Sequence, residues 1–244
     1  MWISTKANHL SPKRWRNNMP RLLLSGGGSA EDSFLLDQLL VQLTARGPML
    51  YLPIALDPHQ RPYASCYQWI RSVFTPLGHD CITMWSDISA AKTEEDLKPF
   101  VALYIGGGNT FKLLRDLKQA RFDQAIRSFL QHGGIVYGGS AGAIICGRDI
   151  STASFLDHND VGLEDTTGLD LLQGASVWCH YQSADDQQIF SLASHLQHPI
   201  IALSEKTGVY VQDNIVLAVG FEPVVVFHHD IQRTFPPSSV VLIE

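Results

Sequence analysis

The sequence predicts an α/β fold of three layers, in which helices cover both faces of a mostly parallel sheet, with a β-rich C-terminal third. Two patterns carry that expectation. From Arg21 to residue 131, short apolar runs alternate with stretches of helical periodicity, the signature of strand–helix–strand units. From Ile200 onward the apolar runs follow one another without an intervening helix. Composition agrees, since 45% hydrophobic and 17% charged residues describe a folded globular enzyme and argue against disorder. At 244 residues the chain can bury a large core without staples, and one α/β domain over 20–244 accounts for its length.

The elements follow in order. Leu22-Leu23-Leu24 is a first strand ending in Ser25-Gly26-Gly27-Gly28, and residues 31–46 are an amphipathic helix. Met49-Leu50-Tyr51-Leu52-Pro53 is a second strand, followed by a helix over 63–77. Cys81-Ile82-Thr83-Met84-Trp85 and Val101-Ala102-Leu103-Tyr104-Ile105 are the third and fourth strands, and two helices fill 110–131. Ile135-Val136-Tyr137 leads to a glycine-flanked serine. Residues 148–179 are a polar, Gly- and Asp-rich excursion, expected to carry function or a β-ribbon. A helix over 184–197 precedes four apolar runs, at 200–203, 209–211, 215–219 and 224–227, with Asp213-Asn214 as a hairpin turn.

Residues 1–19 contain Lys6, Lys13, Arg14 and Arg16 and no acid. No apolar segment follows these charges, so a signal peptide is not expected, and no run is long enough to span a membrane. The segment reads as a poorly ordered extension or as an arm contacting a second copy in a homodimer. A net charge of −6 gives no general support for a nucleic-acid partner. Cys66, Cys81, Cys146 and Cys179 lack metal-ligand spacing, and reduced, buried thiols in a cytoplasmic protein are expected.

The chemistry gathers at strand ends. In open parallel sheets, ligands bind beyond the carboxyl ends of the strands, and three such ends are glycine-rich, at 26–28, 106–108 and 138–139. Gly138-Gly139-Ser140-Ala141-Gly142-Ala143 joins a strand to a helix in the nucleophile-elbow pattern. Small neighbours allow a strained turn and the approach of a carbonyl, while the N–H groups of the following helix can receive an oxyanion. A serine nucleophile also needs a base and an orienting carboxylate. Seven histidines, His9, His59, His79, His132, His158, His195 and His198, lie in polar or helical contexts that suggest the surface. His180 ends the strand-like run Ala175 to Cys179 and can face the same sheet edge as Ser140. His228 and His229 follow a C-terminal strand and are the choice an α/β-hydrolase would need.

Gly106-Gly107-Gly108-Asn109-Thr110-Phe111-Lys112-Leu113-Leu114, then Gly139-Ser140-Ala141-Gly142-Ala143, a strand-end His and the turn Ala202-Leu203-Ser204-Glu205 together resemble peptidase E. This is the aspartyl dipeptidase group of the S51 serine peptidases. The resemblance covers roughly Pro20 to Val226. It implies a class I glutamine amidotransferase-like, flavodoxin-like fold and a Ser–His–Glu catalytic set with no metal or organic cofactor. Carried over by position, Ser140 is the nucleophile, His180 the base and Glu205 the orienting carboxylate, with Asp213 as the competing acid. Gly107, Gly108 and the N–H of Ala141 correspond to the oxyanion hole. Asn109, Thr110, Asp157 and Asp160 are the substrate-binding candidates; the family's Asp fifteen residues after the nucleophile is here Phe155, with Asp157 and Asp160 close by. Family members also place an Arg after the catalytic His. Residues 180–203 contain neither Arg nor Lys, so the resemblance does not carry strict specificity for N-terminal Asp. Arg148 and Lys206 are the nearest substitutes in sequence.

The resulting expectation is a cytoplasmic serine peptidase cleaving small peptides through an acyl-enzyme. Two alternatives stand beside it. One is an esterase of the α/β-hydrolase type using Ser140 with His228 or His229. The other is a non-catalytic, amidotransferase-like binding protein.

Overall fold

The computed structural model describes residues 20–89 and 92–243; the basic segment 1–19, expected to be an extension or an oligomer arm, lies outside the described residues. The first half alternates as the apolar runs predict: β1 (Arg21–Ser25), α1 (Ala30–Thr44), β2 (Met49–Leu52), α2 (Tyr63–Phe74), β3 (Ile82–Met84), α3 (Glu94–Leu97), β4 (Ala102–Ile105), α4 (Thr110–Gln119), α5 (Phe122–Gln131), β5 (Ile135–Gly139) and α6 (Ala141–Ile144). The second half holds β6 (Ser176–Trp178), α7 (Asp186–Leu196), β7 (Ile200–Ala202), β8 (Thr207–Gln212), β9 (Ile215–Gly220), β10 (Val224–His228), β11 (Ile231–Phe235) and β12 (Val240–Val241).

An 8-stranded sheet has the order β12-β9-β8-β1-β5-β4-β2-β3. Its stretch from β1 to β3 is parallel, while β8, β9 and β12 extend it antiparallel. Parallel strands buried on both faces need apolar side chains at every position, and these have them. Leu22, Leu24, Leu103, Ile105 and Val136 enter one core, whereas Leu23, Tyr104, Ile135 and Tyr137 enter a second core on the opposite face. The capping box of Ser29 and Asp32 starts α1 by satisfying the free N–H groups of its first turn.

The C-terminal strands do not all join this sheet. A separate 4-stranded sheet forms in the order β11-β10-β7-β6, with β6 and β7 parallel and the others antiparallel. Val177, Ile201, Val224 and Val226 bury one of its faces in the larger core, and Trp178, Ile200, Ala202 and Phe227 pack with α7 on the other. At the Asp213-Asn214 turn both residues have positive φ, 52° and 63°, as a two-residue hairpin with right-handed strand twist requires.

Four expectations change. The excursion after Gly147 forms no ribbon beyond an isolated bridge between Asp149 and Thr167; a 3-10 turn at Ser151–Phe155 and side-chain hydrogen bonds organise it instead. His79 and His198 are buried, not on the surface. His198 is held by Ser176 Oγ at 2.8 Å and the Leu196 carbonyl at 3.0 Å, and the His79 ring packs edge-on against Phe74. Cys81 is exposed, whereas Cys66, Cys146 and Cys179 are buried; all four are free thiols.

Candidate active site

The carboxyl ends of β1, β2, β4 and β5 open on a cavity of about 600 Å³. Ser140 stands on its wall at the sharp turn from β5 into α6, with φ 49° and ψ −111°, a backbone conformation that a non-glycine residue adopts only when its surroundings impose it. The surroundings do so here. The Ser140 N–H donates to the Ser25 carbonyl at 3.1 Å, and Gly142 lies so close to the Ile105 carbonyl that any Cβ there would overlap it.

His180 follows β6 and also has positive φ, 55°. Its N–H donates to the Gly26 carbonyl at 2.9 Å, and the Tyr181 N–H donates to Leu203 at 3.0 Å, so the turn is fixed to β1 on one side and β7 on the other. The His180 Nε2 lies 2.9 Å from Ser140 Oγ, and its Nδ1 lies 3.0 Å from Glu205 Oε1. Glu205 sits in the turn from β7 to β8, with its side chain 56% exposed. The imidazole packs against Gly27, where a Cβ would overlap its Cε1. That glycine, at φ 117°, makes room for the base.

The N–H groups of Gly107, Gly108 and Ala141 have no hydrogen-bond partner among the described residues, and the two glycines line the cavity with Ser140. The other candidates go elsewhere. Asn109 caps α4, its Oδ1 accepting from the Lys112 N–H at 2.9 Å and its Nδ2 donating to the His158 carbonyl at 2.8 Å. Asp157 accepts from the Thr110 N–H at 2.8 Å, which ties the excursion to the start of α4. Asp160 is exposed, and none of these four lines the cavity. His228 and His229 stack on each other at 4.2 Å at the bend between β10 and β11, and Ser140 turns to His180 instead. Asp213 lies in the β8–β9 hairpin, where it accepts from Gln212.

Arg61 lines the cavity and was not singled out from the sequence. It lies in the loop between β2 and α2, beyond the carboxyl end of a parallel strand, which is where the strand-end rule would have led. Neither Arg148 nor Lys206 lines the cavity; Lys206 is 3.8 Å from Glu222.

The profile of Peptidase family S51 matches residues 22–219. The chain belongs to peptidase family S51. As a member it is a serine-type peptidase, and its substrates are peptides. This S51 peptidase is 24% identical over 184 residues to a Drosophila melanogaster protein named "Probable alpha-aspartyl dipeptidase", covering 70% of this chain and 72% of that one. It is 27% identical over 164 residues to Peptidase E of Pasteurella multocida, covering 62% and 68%. In fold it is similar to the crystal structure of a peptidase from an acI-B1 Actinobacterium, with a TM-score of 0.67, 19% identity, and coverage of 92% of this chain and 97% of that one. Among the described residues of the S51 chain, no helix is long and apolar enough to cross a membrane.

Proposed function

We propose that this S51 peptidase hydrolyses short peptides through an acyl-enzyme formed on Ser140. The observation that carries the reading is the unbroken hydrogen-bonded chain from Ser140 Oγ through His180 to Glu205 at the mouth of a cavity. Ser140 Oγ attacks the scissile carbonyl carbon as its proton passes to His180 Nε2. Glu205 accepts the Nδ1–H, which fixes the tautomer and stabilises the imidazolium. The carbonyl oxygen, now negative, receives the free N–H groups of Gly107, Gly108 and Ala141. His180 then returns its proton to the departing amine nitrogen, and the C–N bond breaks. Water attacks the acyl-enzyme with His180 again taking the proton, releasing the carboxylic acid and restoring Ser140. The names of the relatives support a substrate of dipeptide size, which a cavity of about 600 Å³ accommodates.

The test is labelling with a small fluorophosphonate together with hydrolysis of a dipeptide library, on wild type and Ser140→Ala. The expected result is covalent labelling and cleavage in wild type and neither in Ser140→Ala. Equal labelling of the two, or undiminished cleavage by the variant, would refute the assignment.

A further inference from the structure

Arg61 carries the one full charge on the cavity wall among the described residues; the rest of the lining is glycine backbone, hydroxyls, aromatic rings, Leu56, Cys66 and His180. Its guanidinium makes no hydrogen bond or ion pair with any described residue. In a chain of net charge −6, an unpaired cation on the same cavity wall as the candidate nucleophile sets this cavity apart from the surface around it. Burial pushes the Tyr51 phenol and the Cys66 thiol up, and the Arg61 charge opposes both shifts, so the guanidinium is electrostatically close to each.

Beside it stands an aromatic wall. Tyr51 and Tyr104 meet edge to face at 5.6 Å, and Trp69 leans on them at 6.4 and 6.3 Å. Ser65, Cys66 and Trp69 lie on one face of α2 and all line the cavity; Trp69 is 41% exposed, whereas Tyr51 and Tyr104 are buried. An acidic side chain alone would satisfy Arg61 and leave the exposed Trp69 ring in water. An apolar side chain alone would cover that ring and leave the cation without an anion. A C-terminal amino-acid residue with a large side chain offers both groups from a single Cα.

We propose that Arg61 pairs with the free C-terminal carboxylate of a short peptide whose last side chain, aromatic or large and apolar, lies against Trp69 on the wall it forms with Tyr51 and Tyr104. This rests on the reading that Ser140 cleaves peptides, and it names the residue on the leaving-group side. It also makes the enzyme a reader of free chain ends, since an amide in place of the carboxylate leaves the guanidinium without its charge-assisted partner.

The experiment compares Ala-Phe, Ala-Phe-amide, Ala-Ala and Asp-Ala-amide as substrates of wild type, Arg61→Gln and Trp69→Ala. Wild type is expected to favour Ala-Phe over its amide by about ten- to a hundredfold in kcat/KM, the range of one charge-assisted hydrogen-bonded pair. In Arg61→Gln the ratio should fall to near one. In Trp69→Ala the preference for Ala-Phe over Ala-Ala should shrink while the acid-to-amide ratio persists. Equal cleavage of acid and amide by wild type, or a ratio that survives Arg61→Gln, overturns the proposal. So does an Arg61-dependent gain that appears with Asp-Ala-amide instead, because the carboxylate read is then a side chain. Calorimetric titration of Ser140→Ala and Ser140→Ala/Arg61→Gln with Ala-Phe and its amide separates this proposal from the catalytic one. Binding that prefers the acid only when Arg61 is present supports it even if wild type hydrolyses neither peptide, in which case the catalytic reading alone fails. Equal binding of acid and amide to Ser140→Ala overturns it whatever the turnover.

Discussion

At the scale of single residues, His180 is held within two constraints, a carboxylate at its Nδ1 and a glycine packed against its Cε1. Glu205→Gln keeps the side-chain volume and removes the charge that, in the proposed mechanism, steadies the imidazolium. We expect kcat to fall by about a hundredfold or more while the thermal midpoint barely moves, because the carboxylate is more than half exposed. Asp213→Asn in the same assay should leave turnover largely intact, and the reverse ranking would reassign the acid. Gly27→Ala tests the second constraint. Its Cβ cannot coexist with the imidazole as placed, and a side chain at φ 117° is strained in addition. Turnover should drop by more than about tenfold even where circular dichroism reports a folded chain. That Ser140, His180 and Glu205 meet was legible in the sequence because each sits in a short pattern, a glycine-flanked elbow or the end of an apolar run. Arg61 belongs to no such pattern. Asn109 caps α4 and Asp157 anchors the excursion to it, and caps and binding loops draw on the same polar side chains.

At the scale of elements, α1 and β5 share the buried cluster behind the cavity. Tyr137 stacks on Tyr104 at 4.4 Å and donates its hydroxyl to Asp37 Oδ1 at 2.7 Å, while Ser33 donates to Oδ2 at 2.8 Å. Desolvation outweighs these two donors and pushes the Asp37 carboxyl up to about 6 from 3.8. The folded chain therefore holds a proton that the unfolded chain has lost between about pH 4 and 6. Stability falls as pH rises through that window and levels off above it. Asp37→Asn keeps the shape and the bond from Tyr137 to Oδ1, and its Nδ2 can donate to Ser33 Oγ where Oδ2 accepted, without the ionisation. We expect it to be more stable than wild type at pH 8 by about 1–3 kcal/mol, with the gap narrowing toward pH 4, as urea unfolding at the two pH values will show. Asp37 was not flagged from the sequence, where it reads as one more acid on an amphipathic helix. Apart from the four-residue α3, the helices and parallel strands were legible to within a few residues, since continuous apolar runs and helical periodicity are local signals. β11 was not, because its residues are mostly exposed and lack an alternating apolar pattern.

At the scale of the whole molecule, the candidate triad bridges two sheets. Ser140 follows β5 of the large sheet, His180 follows β6 of the small one, and Glu205 lies where the chain passes from the small sheet to the large. The packing of the small sheet therefore bears on the Ser140–His180 distance. Phe227 is fully buried in that sheet, 5.0 Å from Phe190 and 6.0 Å from Tyr181, the neighbour of His180. Phe227→Ala should cost about 3–5 kcal/mol of stability. It should also lower kcat at temperatures where the chain remains folded, whereas His228→Ala, at the exposed end of the same strand, should stay within about tenfold of wild type. An unchanged kcat in Phe227→Ala would show that the small sheet does not position His180. What the sequence determined by itself is what short segments encode: the strand–helix alternation, the elbow around Ser140 and the family. The division of the C-terminal strands between two sheets depended on tertiary structure, because apolar runs state that a strand is buried and not which neighbour buries it. The same holds for Arg61, which shares the cavity with Ser140 only because β2 and β5 flank β4 and open at the same sheet edge.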